Sequence, residues 1–232
     1  MSDHTSKQFD SELEAVRSTV LQMGGLVEQQ IQNAIDTVTS GDLVTIDAVI
    51  ARDKEVNRME VELDERCSHI IARRQPAAGD LRMLITVVKM ITDLERIGDE
   101  AEKIARMARM IREAERAFMP RIELAHMAEA ALVMLRLALD AFARLDVVAA
   151  ANVVRKDIAV DDEFRSVIRQ MITFVMEDPR TISRSIELLF IAKAIERIGD
   201  HAKNMAEYTI YMVKGRDVRH IGIEEIEREA AQ

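Results

Sequence analysis

Three properties of the sequence predict an all-α fold of two tandem three-helix bundles. Residue usage suits helices and starves strands, apolar positions recur every three or four residues, and one pattern is written twice. Of 232 residues only 3% are aromatic, with no Trp, 8 Gly and 3 Pro, yet 48% are hydrophobic. Strands favour aromatic and β-branched side chains and their turns consume Gly and Pro, so this usage excludes a β-rich domain.

The first helix is predicted over about 9–39, where Leu13, Val16, Val20, Met23, Val27, Ile31, Ile35 and Val38 form one apolar stripe. Ser40-Gly41-Asp42 closes it and caps the second, which runs over about 43–74. Gln75 to Asp80 reads as a turn, because Pro76 cannot continue the helix and Asp80 can cap the third, over about 81–118. Met119-Pro120 breaks the chain. A fourth helix follows over about 121–143, a fifth ending near 176 and a sixth ending near Gly215. The remainder, 216–232, reads as a loosely attached tail with a short acidic helix over about 224–229 and no strong apolar face.

The second half repeats the first. Asp36, Asp42 and Asp53 fall on Asp140, Asp146 and Asp157 at a constant offset of 104, and after the Pro turn Glu95 and Asp99 fall on Glu196 and Asp200 at 101. The indel of three therefore lies in a loop, which tolerates length changes that packed helices do not. The units are expected at 1–118 and 119–215, with the tail as 216–232.

Charge and cysteine usage bound the function classes. Lys and Arg total 32 against 41 Asp and Glu, a formal charge of −9, which argues against nucleic acid as a partner. The N-terminus lacks a signal-peptide pattern and no apolar run approaches a membrane span, so a cytoplasmic protein without its own anchor is expected. The single cysteine, Cys67, reads as a half-buried helix residue. His69, His126 and His220 have no ligand spacing and read as surface or helix-flank residues, and the Met residues as core.

Acidic side chains interrupt the apolar stripes at matched places. Asp53 and Asn57 lie four apart on the second helix, Glu95 and Asp99 on the third, Asp157 and Asp161 on the fifth, Glu196 and Asp200 on the sixth. Residues four apart share one helix face, so each pair of like charges needs a compensating cation, arginine or water. The pairs are nearly equidistant from the Pro turns, so antiparallel neighbours bring them to one height and gather four oxygen-bearing side chains in each repeat. Such hard donors suit divalent or trivalent metal ions, with iron, manganese, magnesium or zinc all open. Gly98 and Gly199 would permit close approach to the backbone, and His201 should point away from the cluster. Counting charges alone, Asp161 in place of Asn57 should make the second site the tighter one. Arg96 and Arg197 offer the alternative of structural ion pairs without metal, and a metal-dependent helical-bundle enzyme also stays open.

With these residues assembled, the chain resembles the PhoU family over about 9–215. The likeness rests on the duplicated unit, on Gln75-Pro76-Ala77-Ala78-Gly79-Asp80-Leu81-Arg82, and on Glu95-Arg96-Ile97-Gly98-Asp99 with its copy Glu196-Arg197-Ile198-Gly199-Asp200. The family's paired acidic metal motifs match the same eight positions, Asn57 being the one departure. The resemblance implies a cytoplasmic, non-enzymatic negative regulator of phosphate uptake and of the phosphate-starvation response. Its implied partners are the ATPase subunit of the phosphate ABC transporter and a phosphate-sensing histidine kinase, which would recruit it to the inner face of the membrane. A homodimer is compatible with this reading.

Overall fold

The computed structural model describes residues 7–113 and 124–231, and within them the chain is helical with no strand. α1 (Lys7–Ser40), α2 (Leu43–Arg74) and α3 (Ala78–Glu113) form one antiparallel bundle; α4 (Ala125–Arg144), α5 (Val147–Glu177) and α6 (Ile182–Lys214) form a second. A short 3₁₀ turn, Pro179–Thr181, precedes α6, and α7 (Ile223–Ala231) follows it.

The duplicated caps form as local chemistry dictates. The Asp42 carboxylate accepts from the backbone N–H groups of Val44 and Thr45, and its counterpart Asp146 accepts from those of Val148 and Ala149. Gly41 and Gly215 adopt positive φ at helix ends. α3 starts earlier than the Pro turn suggests: the Ala77 carbonyl accepts from Leu81 N–H, so Asp80 lies inside the first helical turn and is not the cap. There its charge complements the helix dipole. The expected end of α3 at 118, the Met119-Pro120 break and the first residues of α4 lie outside the described residues.

The two bundles share one core. α3 packs along α6 and α1 along α4, both antiparallel, since rising numbers on one helix meet falling numbers on the other. Lys89 lies over the rings of Tyr208 and Tyr211, Asp93 meets His201, and Glu100 meets Arg197. On the other pair, Arg17 donates to the Ala143 carbonyl and Arg136 to Glu28. Leu94, Ile97, Ile195 and Ile198 are fully buried beside these polar contacts.

Two expectations are corrected. Cys67 is fully buried, and burial pushes its thiol up to about 11, so it is an inert core residue. The tail is not loosely attached. α7 buries Ile226 and Ala230, packs on α5, and is tied down by Arg155, which donates Nε and Nη2 to Glu227 at 2.5 and 2.6 Å. Two apolar residues four apart suffice for a nine-residue helix to dock.

Candidate metal centre

The first acidic set is built by α2 and α3. Asp53 is nine-tenths buried, with 9% of its surface exposed, and its Oδ2 accepts from Asn57 Nδ2 at 3.1 Å. Asp53 Oδ1 and Asn57 Oδ1 are buried without a hydrogen bond of normal geometry. So is Oε1 of fully buried Gln30, whose amide nitrogen reaches the carbonyls of Val49 and Gly98 at 3.4 Å each. Gly98 permits this crowding: a Cβ there would sit 3.3 Å from Gln30 Oε1 and 3.6 Å from Asp53 Oδ1.

The electrostatics show which charges lie near one another. Burial raises the Asp53 pKa above its usual value, and Glu102 and Asp99 raise it further, while the amides of Asn57 and Gln30 oppose the rise. Glu95 is raised by burial, then by Asp99, Glu60 and Asp53, with Arg96 acting the other way. All four sequence-predicted positions thus belong to one electrostatic cluster, and two acids not anticipated from the sequence, Glu60 and Glu102, join it. Arg96 lies 3.3 Å from Asp99 and 3.6 Å from Glu95.

In the second set Asp157 is buried, and Asp200 is raised by burial, then by Glu196, Asp157 and Asp161, with Lys193 opposing. Asp200 thus feels the charge of the other three positions. Their compensation differs. Lys203 places Nζ 2.6 Å from Asp157 Oδ2, and Lys193 places Nζ 2.5 Å from Glu196 Oε2. Burial works against the Lys203 ammonium, but its hydrogen bond to Asp157 together with the charges of Asp157, Glu207 and Asp200 outweighs it, and its pKa is raised.

Applying the offset of 101, Lys203 stands where the first repeat has Glu102, and buried Glu207 where it has Arg106. The charge pair is reversed between the repeats. Arg106 and Glu102 pair on one helix turn, whereas Lys203 turns inward to the acids. At 104, Met134 replaces Gln30. This reversal was the available signal for Glu102 and Lys203, and comparing acidic positions alone passes over it.

His201 lies away from the cluster, as expected, but it is not peripheral. Its Nδ1 is 2.6 Å from Asp93 Oδ1 across the α3–α6 contact. Arg197 also leaves the acids and meets Glu100 at 2.9 Å, so only Arg96 fills the ion-pair role foreseen for both arginines.

Among the described residues no three His, Cys, Asp or Glu side chains converge closely enough to hold an ion directly. Asp53, Glu95, Asp99, Asp157 and Glu196 each turn to a neighbouring amide or positive group, which lessens the repulsion among like charges. The donor set nonetheless fits a hard cation at the first repeat. Three buried oxygens there, on Asp53, Asn57 and Gln30, lack a hydrogen bond of normal geometry, which favours a further positive partner.

Set beside known proteins, the chain matches the PhoU domain model twice, over residues 20–108 and 124–209. It is 46% identical over 231 residues to the phosphate-specific transport system accessory protein PhoU homolog of Pseudomonas aeruginosa, covering 99% of this chain and 95% of that one. It is 44% identical over 229 residues to the Escherichia coli phosphate-specific transport system accessory protein PhoU, covering 98% and 94%. The crystal structure of PhoU from Pseudomonas aeruginosa superposes with a TM-score of 0.85 at 45% identity, over 90% of this chain and all of that one. The phosphate transport system regulatory protein PhoU from Streptococcus pneumoniae superposes at 0.84 with 27% identity, over 90% and 99%. Two matched domains on two bundles, with full-length likeness in sequence and in backbone, make this chain a member of the PhoU family.

Proposed function

We propose that the chain is a cytoplasmic, non-enzymatic negative regulator of phosphate uptake. In this reading it couples the phosphate ABC transporter, through its ATPase subunit, to a phosphate-sensing histidine kinase, and represses the starvation response when phosphate is ample. The observation that carries the reading is the near full-length identity to proteins named as phosphate transport accessory proteins. No helix among the described residues is long and apolar enough to cross a membrane, so recruitment to the membrane would run through partners.

Asp53, Asn57, Glu95 and Asp99 in one repeat, and Asp157, Asp161, Glu196 and Asp200 in the other, would hold a divalent cation. Its chemistry would be charge neutralisation that ties α2 to α3 and α5 to α6. A second, metal-free reading is favoured at the second repeat by Lys203 and Lys193, which already supply positive charge to Asp157 and Glu196.

A pull-down from membranes of phosphate-replete cells tests the regulator. The native protein retains the transporter ATPase and the sensor kinase, and Glu196→Ala with Asp200→Ala weakens that retention. Native protein that retains neither contradicts the proposal.

A further inference from the structure

One end of the first bundle carries a positive cleft, on a chain whose formal charge is −9. The opening turns of α1 and the last turns of α2 leave a hollow of about 460 Å³ between them. Small-molecule sites fall in the range of about 300 to 1,000 Å³. Helical spacing explains its make-up. Arg66, His69, Ile70, Arg73 and Arg74 recur at three- and four-residue steps and so share the face of α2 turned to α1. Ser11 and Ala15 line the hollow from α1, and their short side chains leave it wide. Ile70, buried at 5% exposure, gives it an apolar floor.

Three arginines meet one acid in this lining. Arg74 is occupied by Glu12, to which it donates Nε and Nη2 at 3.1 and 2.7 Å, and Glu12 feels the Arg73 charge as well. Arg73 and His69 make no hydrogen bond or ion pair among the described residues, and Arg66 reaches only the Thr19 hydroxyl, at 3.5 Å. The dipole of α2 favours cations in its last turn, which accounts for Arg73 and Arg74 but not for Arg66 two turns earlier. Nor does the fold require the charge. At the offset of 104, Arg66, His69, Arg73 and Arg74 become Gln170, Thr173, Glu177 and Asp178, so three positive charges give way to two negative ones on the same helix face.

Arginine forks suit oxyanions, and a phosphoryl group offers three acceptor oxygens and close to two charges where a carboxylate offers two oxygens and one charge. From two guanidiniums without an acid of their own, a ring donor between them and an apolar floor, we infer that the α1–α2 cleft binds a small phosphorylated organic molecule. Its phosphoryl oxygens accept from Arg66, Arg73 and a ring nitrogen of His69, and its carbon body lies on Ile70 and Ala15. Arg66 lies nine residues beyond Asn57 along α2, about 13 Å, so the cleft is separate from the acidic sets and needs no metal.

Isothermal titration calorimetry of the whole protein in chelator, with ADP and with phosphoenolpyruvate, tests this. At least one of the two compounds saturates a single site. Arg66→Gln and Arg73→Glu, which write the second repeat's residues into the first, each weaken that binding at least tenfold. Both side chains are exposed, and circular dichroism of each variant confirms an intact fold. Arg169→Gln, at an exposed position of α5, removes the same charge as Arg66→Gln and leaves binding unchanged. Saturation by neither compound, binding that Arg73→Glu leaves intact, or an equal loss in Arg169→Gln overturns the inference. Inorganic phosphate that binds as tightly as the organic phosphates also overturns it, because the carbon body would then contribute nothing. Vesicles containing phosphatidylglycerol that hold the protein through Arg66 and Arg73, while neither soluble compound binds, assign the cleft to a lipid headgroup and overturn it equally.

Discussion

The Lys203 ammonium lies 2.6 Å from the Asp157 carboxylate, at the position where the first repeat carries Glu102. One substitution at equivalent sites thus replaces an acid by a resident cation, which competes for the oxygen a metal would use. Counting carboxylates alone ranks the second site tighter; including Lys203, Glu60 and Glu102 reverses that ranking. Manganese titration should show the tighter event lost in Asp53→Asn, and Lys203→Met should strengthen the weaker event about tenfold, about 1.4 kcal/mol. Unchanged second-site affinity in Lys203→Met would contradict this account.

Glu207 gives a pH dependence of stability. Burial raises its pKa from 4.5 to about 7, partly offset by Lys203 and Arg219. A carboxyl raised in the folded state holds its proton more tightly there than in the unfolded chain. Stability therefore falls as pH rises from about 4.5 toward 7 and the loss is complete above that. Glu207→Gln should stabilise the protein at pH 8 by on the order of 3 kcal/mol and have no effect near pH 4. Thermal melts at the two pH values check this, and equal gains at both would contradict it.

The buried contact between Asp93 and His201 fixes the register of α3 against α6. Removing the imidazole by His201→Ala takes the shortest hydrogen bond from a carboxylate that is 7% exposed and leaves it Asn204 and Tyr208, so it should cost about 1 kcal/mol in urea unfolding. His69→Ala, on an exposed helix flank, should stay within about 0.5 kcal/mol.

α7 should be separable from the bundles. Ile226→Asp places a charge in its contact with α5, and amide exchange over residues 223–231 should then lose protection while α5 and α6 keep theirs. Global unfolding by the same substitution would mean that α7 belongs to the core.

The helices, caps and repeat were legible because each rests on local chemistry. Asp42 and Asp146 cap where their spacing requires, and the acids near Asp53 and Asp200 include ones from the neighbouring helix because the Pro turns set them at similar heights. What the sequence left unread depends on side-chain direction across helices. Lys203 and Lys103 are both lysines on the acidic helices, yet Lys203 turns to Asp157 across the bundle while Lys103 pairs with Glu100 on its own helix. His201 finds Asp93 on a helix 108 residues away, which no spacing rule within one repeat reveals. The docking of α7 was missed because Ile226 and Ala230 make a stripe too short to register as a face.

The central claim, that the acidic sets are cation sites, is tested most directly by melting chelator-treated protein with and without Mn²⁺. At a hundredfold excess over the dissociation constant the native protein should gain about 2.7 kcal/mol and melt several degrees higher. A variant with Asp53→Asn, Asp99→Asn, Asp157→Asn and Asp200→Asn should show no metal-dependent gain. A native melting temperature that Mn²⁺, Mg²⁺, Zn²⁺ and iron all leave unmoved would contradict the claim.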